Sequence, residues 1–214
     1  PDKPKKSPVV LIIAGSGPTD RDGNSSLGIK TNTYKMLAES FAGNGISTLR
    51  YDKRAIAKSK AAATSESQLR FETYINDAGG WIDMLNKNKR FSKIIVLGHS
   101  EGSLIGIVAA EQSTVSKLIS VAGAGSPIDT ILRKQLKDNL PGSLYQESNK
   151  ILDTLRMGKT VKKFNPLLSS LYRPSVQPYL ISWIKYDPSA EIKKLKIPVL
   201  IVQGTTDIQV SVDD

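Results

Sequence analysis

The chain has 214 residues, 39% of them hydrophobic and 23% charged, and this composition is typical of a soluble globular domain with a sizeable core. No apolar run is long enough to span a bilayer, and the absence of cysteine excludes disulfides, thiolate metal sites and a cysteine nucleophile. The net charge is +10, but the lysines are scattered and no recognition motif accompanies them, so we expect a solvated basic surface without a nucleic-acid partner.

Five short apolar runs, rich in β-branched residues and bounded by Gly, Pro or charged residues, are predicted to be buried strands of a parallel sheet. They are residues 9–14, 46–51, 93–97, 117–122 and 198–203. Helical patterns at residues 32–42, 67–86 and 101–111 lie between the first four strands. This alternation of strand and helix predicts an α/β fold with a doubly wound, mostly parallel sheet.

Two features of the second helical pattern predict its details. Ser65 and Gln68 have the spacing of a capping box, which would begin the helix. Gly79 and Gly80 lie inside the pattern, where consecutive glycines predict a kink or a close packing contact.

The alternation stops after the fourth strand. From residue 126 to 188 several helical patterns follow one another, which predicts a helical cap inserted between two strands. We therefore divide the chain into a core of residues 1–125 and 189–214 and a cap of residues 126–188. Aromatic residues of this cap, among them Tyr179 and Trp183, either pack within it or line an apolar pocket.

The sequence GHSEG, residues 98–102, lies between the third strand and the helix that follows it. In this context G-x-S-x-G predicts a nucleophile elbow, a strained turn that holds its serine at the carboxyl edge of the sheet. Ser100 is therefore the candidate nucleophile, and the alternative is a structural serine. Gly98 and Gly102 leave room across the turn, and Gly106 lets the helix lie close to the sheet.

A nucleophilic serine needs N–H donors where the oxyanion forms and a base that accepts its proton. The N–H of Glu101 is one candidate donor, and the N–H of Ser16, in the loop after the first strand, is the other. Asp207 follows the last strand and is the candidate acid, although it could also merely cap a turn. His99 is the only histidine, and we expect it to be a packed or hydrogen-bonded neighbour of Ser100 that projects away from Oγ.

The loop at residues 15–24 matches two ligand-binding motifs only in part. Gly15 and Gly17 begin a dinucleotide fingerprint, but Asp20 stands at its third glycine position. The acidic residues of the same loop resemble a calcium loop, but Thr31 replaces its closing glutamate. The sequence therefore predicts neither a cofactor nor a metal.

Taken together, the motifs resemble the α/β-hydrolase superfamily over nearly the whole chain, and especially its bacterial esterase and serine-aminopeptidase-like branch. The resemblance rests on several stretches of sequence and on the helical cap. The stretches are GSGPTDRDGN, RYDKR with Ser59 five residues after it, GHSEG, YDP and IPVLIVQGTTD. It implies Ser100 as nucleophile, Asp207 as triad acid, and the N–H groups of Ser16 and Glu101 as oxyanion hole. It also implies hydrolysis of a small-molecule ester, thioester or amide through an acyl-enzyme.

The chain departs from the family pattern in three respects. The family has glycines in an R-G-x-G-x-S loop where this chain has Ala55 and Ala57, so the loop must change shape or accept strain. Strands ahead of residue 9 and a histidine after the acid are both absent from these 214 residues. We therefore expect the sequence to be incomplete at both ends and inactive by itself.

The sequence thus predicts a metal-free serine hydrolase that cleaves a carboxylic ester. Within enzymes, the alternative is a peptidase or an acyl-thioesterase. In a different class, the alternative is a non-catalytic binding module that has the pocket and lacks the base. Substrate identity, oligomeric state and compartment, whether cytoplasmic, periplasmic or secreted, are left open by these residues.

Overall fold

The computed structural model of the chain describes residues 6–62 and 65–214. Its strands are β1 (Ser7–Ile13), β2 (Ser47–Arg50), β3 (Phe91–His99), β4 (Lys117–Val121) and β5 (Val199–Val202). They form one five-stranded sheet in the order β2-β1-β3-β4-β5, and every pairing between neighbours is parallel. Each predicted apolar run is therefore a strand of the predicted sheet. The prediction that all five strands are buried is wrong for β5, the edge strand, because all four of its residues are exposed in the part of the chain that the structure describes.

Three helices join the first four strands, namely α1 (Thr33–Gly43), α2 (Phe71–Lys87) and α3 (Glu101–Glu111). Strand β1 is apolar on both sides because helices cover both faces of the sheet. Its Val9 and Leu11 pack towards α2 and α3, whereas Val10 and Ile12 pack towards α1. The predicted doubly wound arrangement is confirmed.

The described chain between β4 and β5 is helical, with α4 (Ile128–Lys137), α5 (Gly142–Arg156), α6 (Ser169–Tyr172), α7 (Gln177–Ile184) and α8 (Pro188–Ile192). Helices α4 to α7 share an apolar cluster that includes Leu152, Leu155 and the neighbouring Leu168, whereas Ile192 of α8 packs against the core of the sheet. Arg156 bridges the buried carboxylate of Asp129, with Nη2 and Oδ2 2.5 Å apart, and so joins α5 to α4. The helical run between two strands is present, and its division from the core as a separate domain stays a prediction. No helix in the described ranges is long and apolar enough to cross a membrane.

Two predictions about the second helix are wrong. Ser65 Oγ accepts the N–H of Ser67 and begins only a one-turn 3-10 helix at Glu66–Gln68, and α2 starts later, at Phe71. The extended backbone at Arg70, with φ −134°, separates the two helices. A capping box fixes only one turn, so it does not ensure that a long helix follows.

The predicted kink at Gly79 and Gly80 is also not observed, because α2 continues without interruption from Phe71 to Lys87. A Cβ at Gly80 would meet nothing within 4 Å, and one at Gly79 would come no closer than 3.8 Å to Ser113 Oγ. Packing of the buried face of α2 on the sheet stabilises the helix across both glycines without a close contact at either one.

Candidate active site

Ser100 stands at the junction of β3 and α3 with φ 53° and ψ −121°, a conformation that a non-glycine residue adopts only under strain. The surrounding backbone holds it in place. The Ser100 N–H donates to the carbonyl of Val121, and the Ser103 N–H donates to the carbonyl of Ser100, each over 2.9 Å. The strained strand-to-helix turn predicted for this pentapeptide is therefore present.

The glycines of the turn are required by close backbone approaches. A Cβ at Gly98 would lie 2.1 Å from the Gly102 carbonyl oxygen, and one at Gly102 would lie 2.3 Å from the Ile13 carbonyl oxygen. A Cβ at Gly106 would lie 2.8 Å from Val96 Cγ1. A side chain at Gly98 or Gly102 would push the start of α3 away from the backbone of the sheet, and one at Gly106 would require the side chain of Val96 to move.

Ser100 lines a cavity of about 450 Å³ between the sheet edge and the cap helices. The cap contributes mainly apolar side chains to it: Ile128, Ile131, Leu132, Leu171, Val176 and Leu180. Ser16 and Glu101 line the same cavity, so the structure brings the predicted nucleophile and both predicted oxyanion donors together. The cavity is thus mostly apolar, with Ser16, Ser100 and Glu101 at the elbow and with Gln135, Ser170 and Arg173 on the cap side.

Asp207 lies in the turn after β5, and its carboxylate is occupied by that turn. Oδ1 accepts the N–H groups of Gln209 at 2.8 Å and Val210 at 3.1 Å, and Oδ2 accepts Nε2 of Gln203 at 3.2 Å. These hydrogen bonds, first of all that from Val210, lower the pKa of Asp207. Asp207 therefore caps the turn after β5, as the alternative interpretation predicts, and its role as triad acid stays a prediction. No cluster of His, Asp and Glu suited to a metal ion occurs in residues 6–62 and 65–214.

His99 is hydrogen-bonded through its ring nitrogen Nδ1, which lies 2.8 Å from the Tyr34 hydroxyl. The same hydroxyl accepts the N–H of Gly15 at 3.1 Å, so Tyr34 connects the ring of His99 to the loop after β1. Burial lowers the pKa of His99, and the nearby charge of Asp207 offsets this only in part. His99 is therefore the hydrogen-bonded neighbour that the sequence predicts.

A buried ion pair beside Ser100 was not predicted. Lys53 Nζ lies 2.6 Å from Glu101 Oε2, and both side chains are 3% exposed. Lys53 also donates to the Gly15 carbonyl at 2.6 Å, and the Tyr179 hydroxyl donates to Glu101 Oε1 at 2.5 Å. Since 48 residues separate the two charges, no periodicity or local motif connects them in the sequence.

The loop after β2 keeps a glycine-like shape without glycine. Ala55 and Ala57 have φ values of 68° and 42°. Of the two predicted outcomes, a changed loop shape or a strained backbone, the strained backbone is the one observed. The loop is held by Asp52, whose carboxylate accepts the N–H of Lys58 at 3.2 Å and bridges Arg21 at 2.7 Å. These bonds fix both ends of the loop and maintain the unfavourable dihedral angles.

Comparison with known protein sequences identifies relatives over most of the chain. A family model described as serine aminopeptidase, S33, matches residues 27–214. Esterase EstD of Thermotoga maritima is 27% identical over 217 residues, which cover 97% of this chain and 48% of that protein. The chain thus spans about half the length of this curated relative.

Solved structures share the fold at low sequence identity. Est1E from Butyrivibrio proteoclasticus, with ferulic acid bound, has a TM-score of 0.61 at 20% identity and covers 99% of this chain and 76% of its own. An esterase of Pyrococcus furiosus has a TM-score of 0.61 at 17% identity, and the match covers 99% of this chain and 66% of that esterase. The alpha/beta hydrolase GrgF from a Penicillium species has a TM-score of 0.53 at 15% identity, and the match covers 94% of this chain and 82% of GrgF.

Proposed function

Because the chain belongs to the serine aminopeptidase S33 family, within the α/β-hydrolase superfamily, we propose that it is a serine hydrolase of carboxylic esters. The observation that carries the proposal is the strained Ser100, which lines an apolar cavity at the start of α3. A helix start presents unpaired N–H groups and a positive dipole end, both of which favour a developing oxyanion. The similarity to an esterase supports the same reaction class.

In the proposed reaction Ser100 Oγ attacks the ester carbonyl and its proton passes to a general base. The N–H groups of Glu101 and Ser16 hold the oxyanion of the tetrahedral intermediate. The base then returns the proton to the leaving alcohol, and the acyl group stays on Ser100 until water, activated by the same base, removes it as a carboxylic acid. The apolar cavity holds the acyl chain throughout.

We further propose that the base is a histidine outside these 214 residues, oriented by Asp207. The hydrogen bonds of His99 support this proposal. A triad base binds the acid through Nδ1, whereas Nδ1 of His99 binds the Tyr34 hydroxyl and the Asp207 carboxylate binds groups of its own turn. In the protein with its natural termini, His99→Asn should leave the rate of fluorophosphonate labelling within about threefold of wild type, whereas a lost triad base costs orders of magnitude. A fall to the background rate would make His99 the base.

The charges of the cavity favour an ester over the amino-terminal residue of a peptide. A free α-ammonium group needs a carboxylate partner in an apolar chamber. Glu101 is the single carboxylate among the described residues that line the cavity, and its oxygens already bind Lys53 and Tyr179. Hydrolysis of an amino-acid ester with a free α-ammonium group should therefore be slower than hydrolysis of its N-acetylated form, and equal or faster hydrolysis would favour a peptidase.

The test is hydrolysis of a short p-nitrophenyl ester by the protein with its natural termini. Ser100→Ala should lower turnover by about 10⁴-fold or more, because removal of a triad nucleophile leaves only binding and oxyanion effects. Ser170→Ala, which changes another serine of the same cavity, is the matched control and should stay within about threefold. If Ser100→Ala were equally harmless, a binding module that performs no chemistry would become the better interpretation.

A further inference from the structure

The peptide group that joins Gly15 to Ser16 is fixed from its carbonyl side. The Gly15 carbonyl oxygen accepts a hydrogen bond from Lys53 Nζ at 2.6 Å, and the side chain of Lys53 is 3% exposed. In a planar trans peptide the C=O and N–H bonds point in opposite directions. The hydrogen bond from Lys53 therefore also sets the direction of the Ser16 N–H.

Lys53 is itself held by a chain of buried contacts. Glu101 Oε2 lies 2.6 Å from Nζ, and the ring of Tyr74 lies under Nζ with its centroid 5.2 Å away. Glu101 Oε1 accepts the hydroxyl of Tyr179 at 2.5 Å, which attaches the pair to cap helix α7. Nζ thus has a defined position, set by groups from three separate parts of the chain.

The pair connects the two sides of the proposed oxyanion hole. Glu101 supplies one donor through its own N–H, and its side chain holds the lysine that orients the other donor, Ser16. A cation at the Gly15 carbonyl also polarises that peptide and makes its N–H a stronger donor. Stability alone is a weak explanation for such a pair, because desolvation of two charges offsets most of their attraction.

We infer that Lys53 is a positioning residue, which aims the Ser16 N–H at the oxyanion through its hydrogen bond to the Gly15 carbonyl. The inference rests on the proposed function, since it needs a reaction that forms an oxyanion at Ser100. It goes beyond that function because it gives the buried lysine a role in transition-state binding that an ordinary structural ion pair lacks.

The test removes both charges together, because Lys53→Met alone would leave Glu101 buried without a partner. The Lys53→Met/Glu101→Gln double variant should lower kcat for a p-nitrophenyl ester by about 30- to 100-fold, with KM within about threefold, because one oxyanion donor is misdirected. The affinity for a boronic acid that forms a tetrahedral adduct should fall by a similar factor.

The matched control is the Asp129→Asn/Arg156→Met variant, which removes a pair with a buried carboxylate from the cap. It should keep kcat and boronate affinity within about threefold, because it contacts neither proposed donor. If the Lys53 double variant folds and retains wild-type kcat and boronate affinity, the inference is wrong. The Ser100→Ala variant distinguishes a failure of this inference from a failure of the proposed function, because an active Ser100→Ala variant would contradict the proposed function itself.

If the double variant does not fold, the Lys53→Arg variant tests the positioning role in its place. The longer guanidinium keeps the charge but displaces the Gly15 carbonyl, so kcat should fall by about tenfold with KM unchanged, as expected for small errors in catalytic geometry. An unchanged kcat in Lys53→Arg, or a KM that rises in its place, would overturn the positioning role.

Discussion

Ala55 and Ala57 carry strain that glycine would relieve. Their φ values of 68° and 42° lie in the left-handed region, where a Cβ costs about 1–2 kcal/mol. Glycine removes this cost but gives the unfolded chain more freedom, so Ala55→Gly and Ala57→Gly should each raise the free energy of unfolding by about 0.5–1 kcal/mol. Urea denaturation measures the change.

Ala42→Gly is the control for this prediction, because Ala42 lies within helix α1, whose dihedral angles suit alanine. That variant should lose about 0.5–1 kcal/mol. If Ala55→Gly and Ala57→Gly were destabilising to the same degree as Ala42→Gly, the loop would not be strained.

The lowered pKa of Asp207 predicts that stability depends on pH. Backbone hydrogen bonds, led by that from Val210, lower its pKa below the ordinary value of 3.8. A carboxylate with a lowered folded-state pKa stabilises the protein above its unfolded pKa, and this contribution is lost as pH falls through the folded pKa. Asp207→Asn keeps an acceptor but not the charge, so it should cost about 1 kcal/mol near neutral pH.

The cost of Asp207→Asn should shrink as the pH is lowered below 3.8, because the wild-type carboxyl is then itself losing its charge. Urea denaturation of both proteins across this range is the measurement. A difference that stays constant with pH would mean that the charge of Asp207 contributes nothing to the turn.

At the scale of elements, the sharp turn into α3 depends on the absence of side chains at its glycines. A Cβ at Gly98 would lie 2.1 Å from the Gly102 carbonyl oxygen, with backbone on both sides of the contact. Gly98→Ala should therefore cost about 3 kcal/mol or more, or prevent folding, which thermal unfolding will show. Gly80→Ala is the control.

Gly80 lies within α2, where a Cβ would meet nothing within 4 Å. Gly80→Ala should therefore raise the free energy of unfolding by about 1 kcal/mol, as expected from helix propensity alone. A loss at Gly80 would show that this glycine has a packing role after all, and a neutral Gly98→Ala would contradict the tight elbow.

The strands were predictable from sequence because each is a short apolar run. In β1 this run reflects burial on both faces of the sheet. The same pattern located β5 but not its environment, because its four residues are exposed. The start of α2 was not predictable, because the capping signal at Ser65 belongs to a separate one-turn helix. A local motif indicates a turn, whereas the length of a helix depends on packing from distant segments.

At the scale of the whole molecule, the proposed function predicts that the cavity between sheet and cap selects esters by the length of their acyl chain. Each buried CH₂ contributes about 0.8 kcal/mol, close to fourfold in kcat/KM, so an apolar cavity should favour longer acyl chains until it is full. Leu171→Trp fills part of it and should lower kcat/KM for an octanoate ester by about tenfold or more, with the acetate ester within about threefold. Kinetics across a series of acyl lengths measure this.

Leu167→Trp is the control for the cavity, because Leu167 lies on the same cap segment but is 74% exposed. It should leave the chain-length profile unchanged. Equal losses for acetate and octanoate in Leu171→Trp would show that this cavity does not hold the acyl group.

The contacts between distant segments are the part of the site that the sequence did not predict. G-x-S-x-G placed Ser100 because the motif and its turn are local. The pairing of Lys53 with Glu101 and the hydroxyl of Tyr179 exists only once two loops and a cap helix meet. Tyr179 could be assigned to packing or to a pocket from sequence, and in the structure it does both.

The central claim is that Ser100 carries the acyl group, and intact-protein mass spectrometry with a slowly hydrolysed ester tests it most directly. The protein with its natural termini should gain the mass of one acyl group, and peptide mapping should locate that group on Ser100. The Ser100→Ala variant should gain none, and Ser170→Ala should label like wild type. An acyl group on any other residue, or ester turnover that persists in Ser100→Ala, would contradict the account.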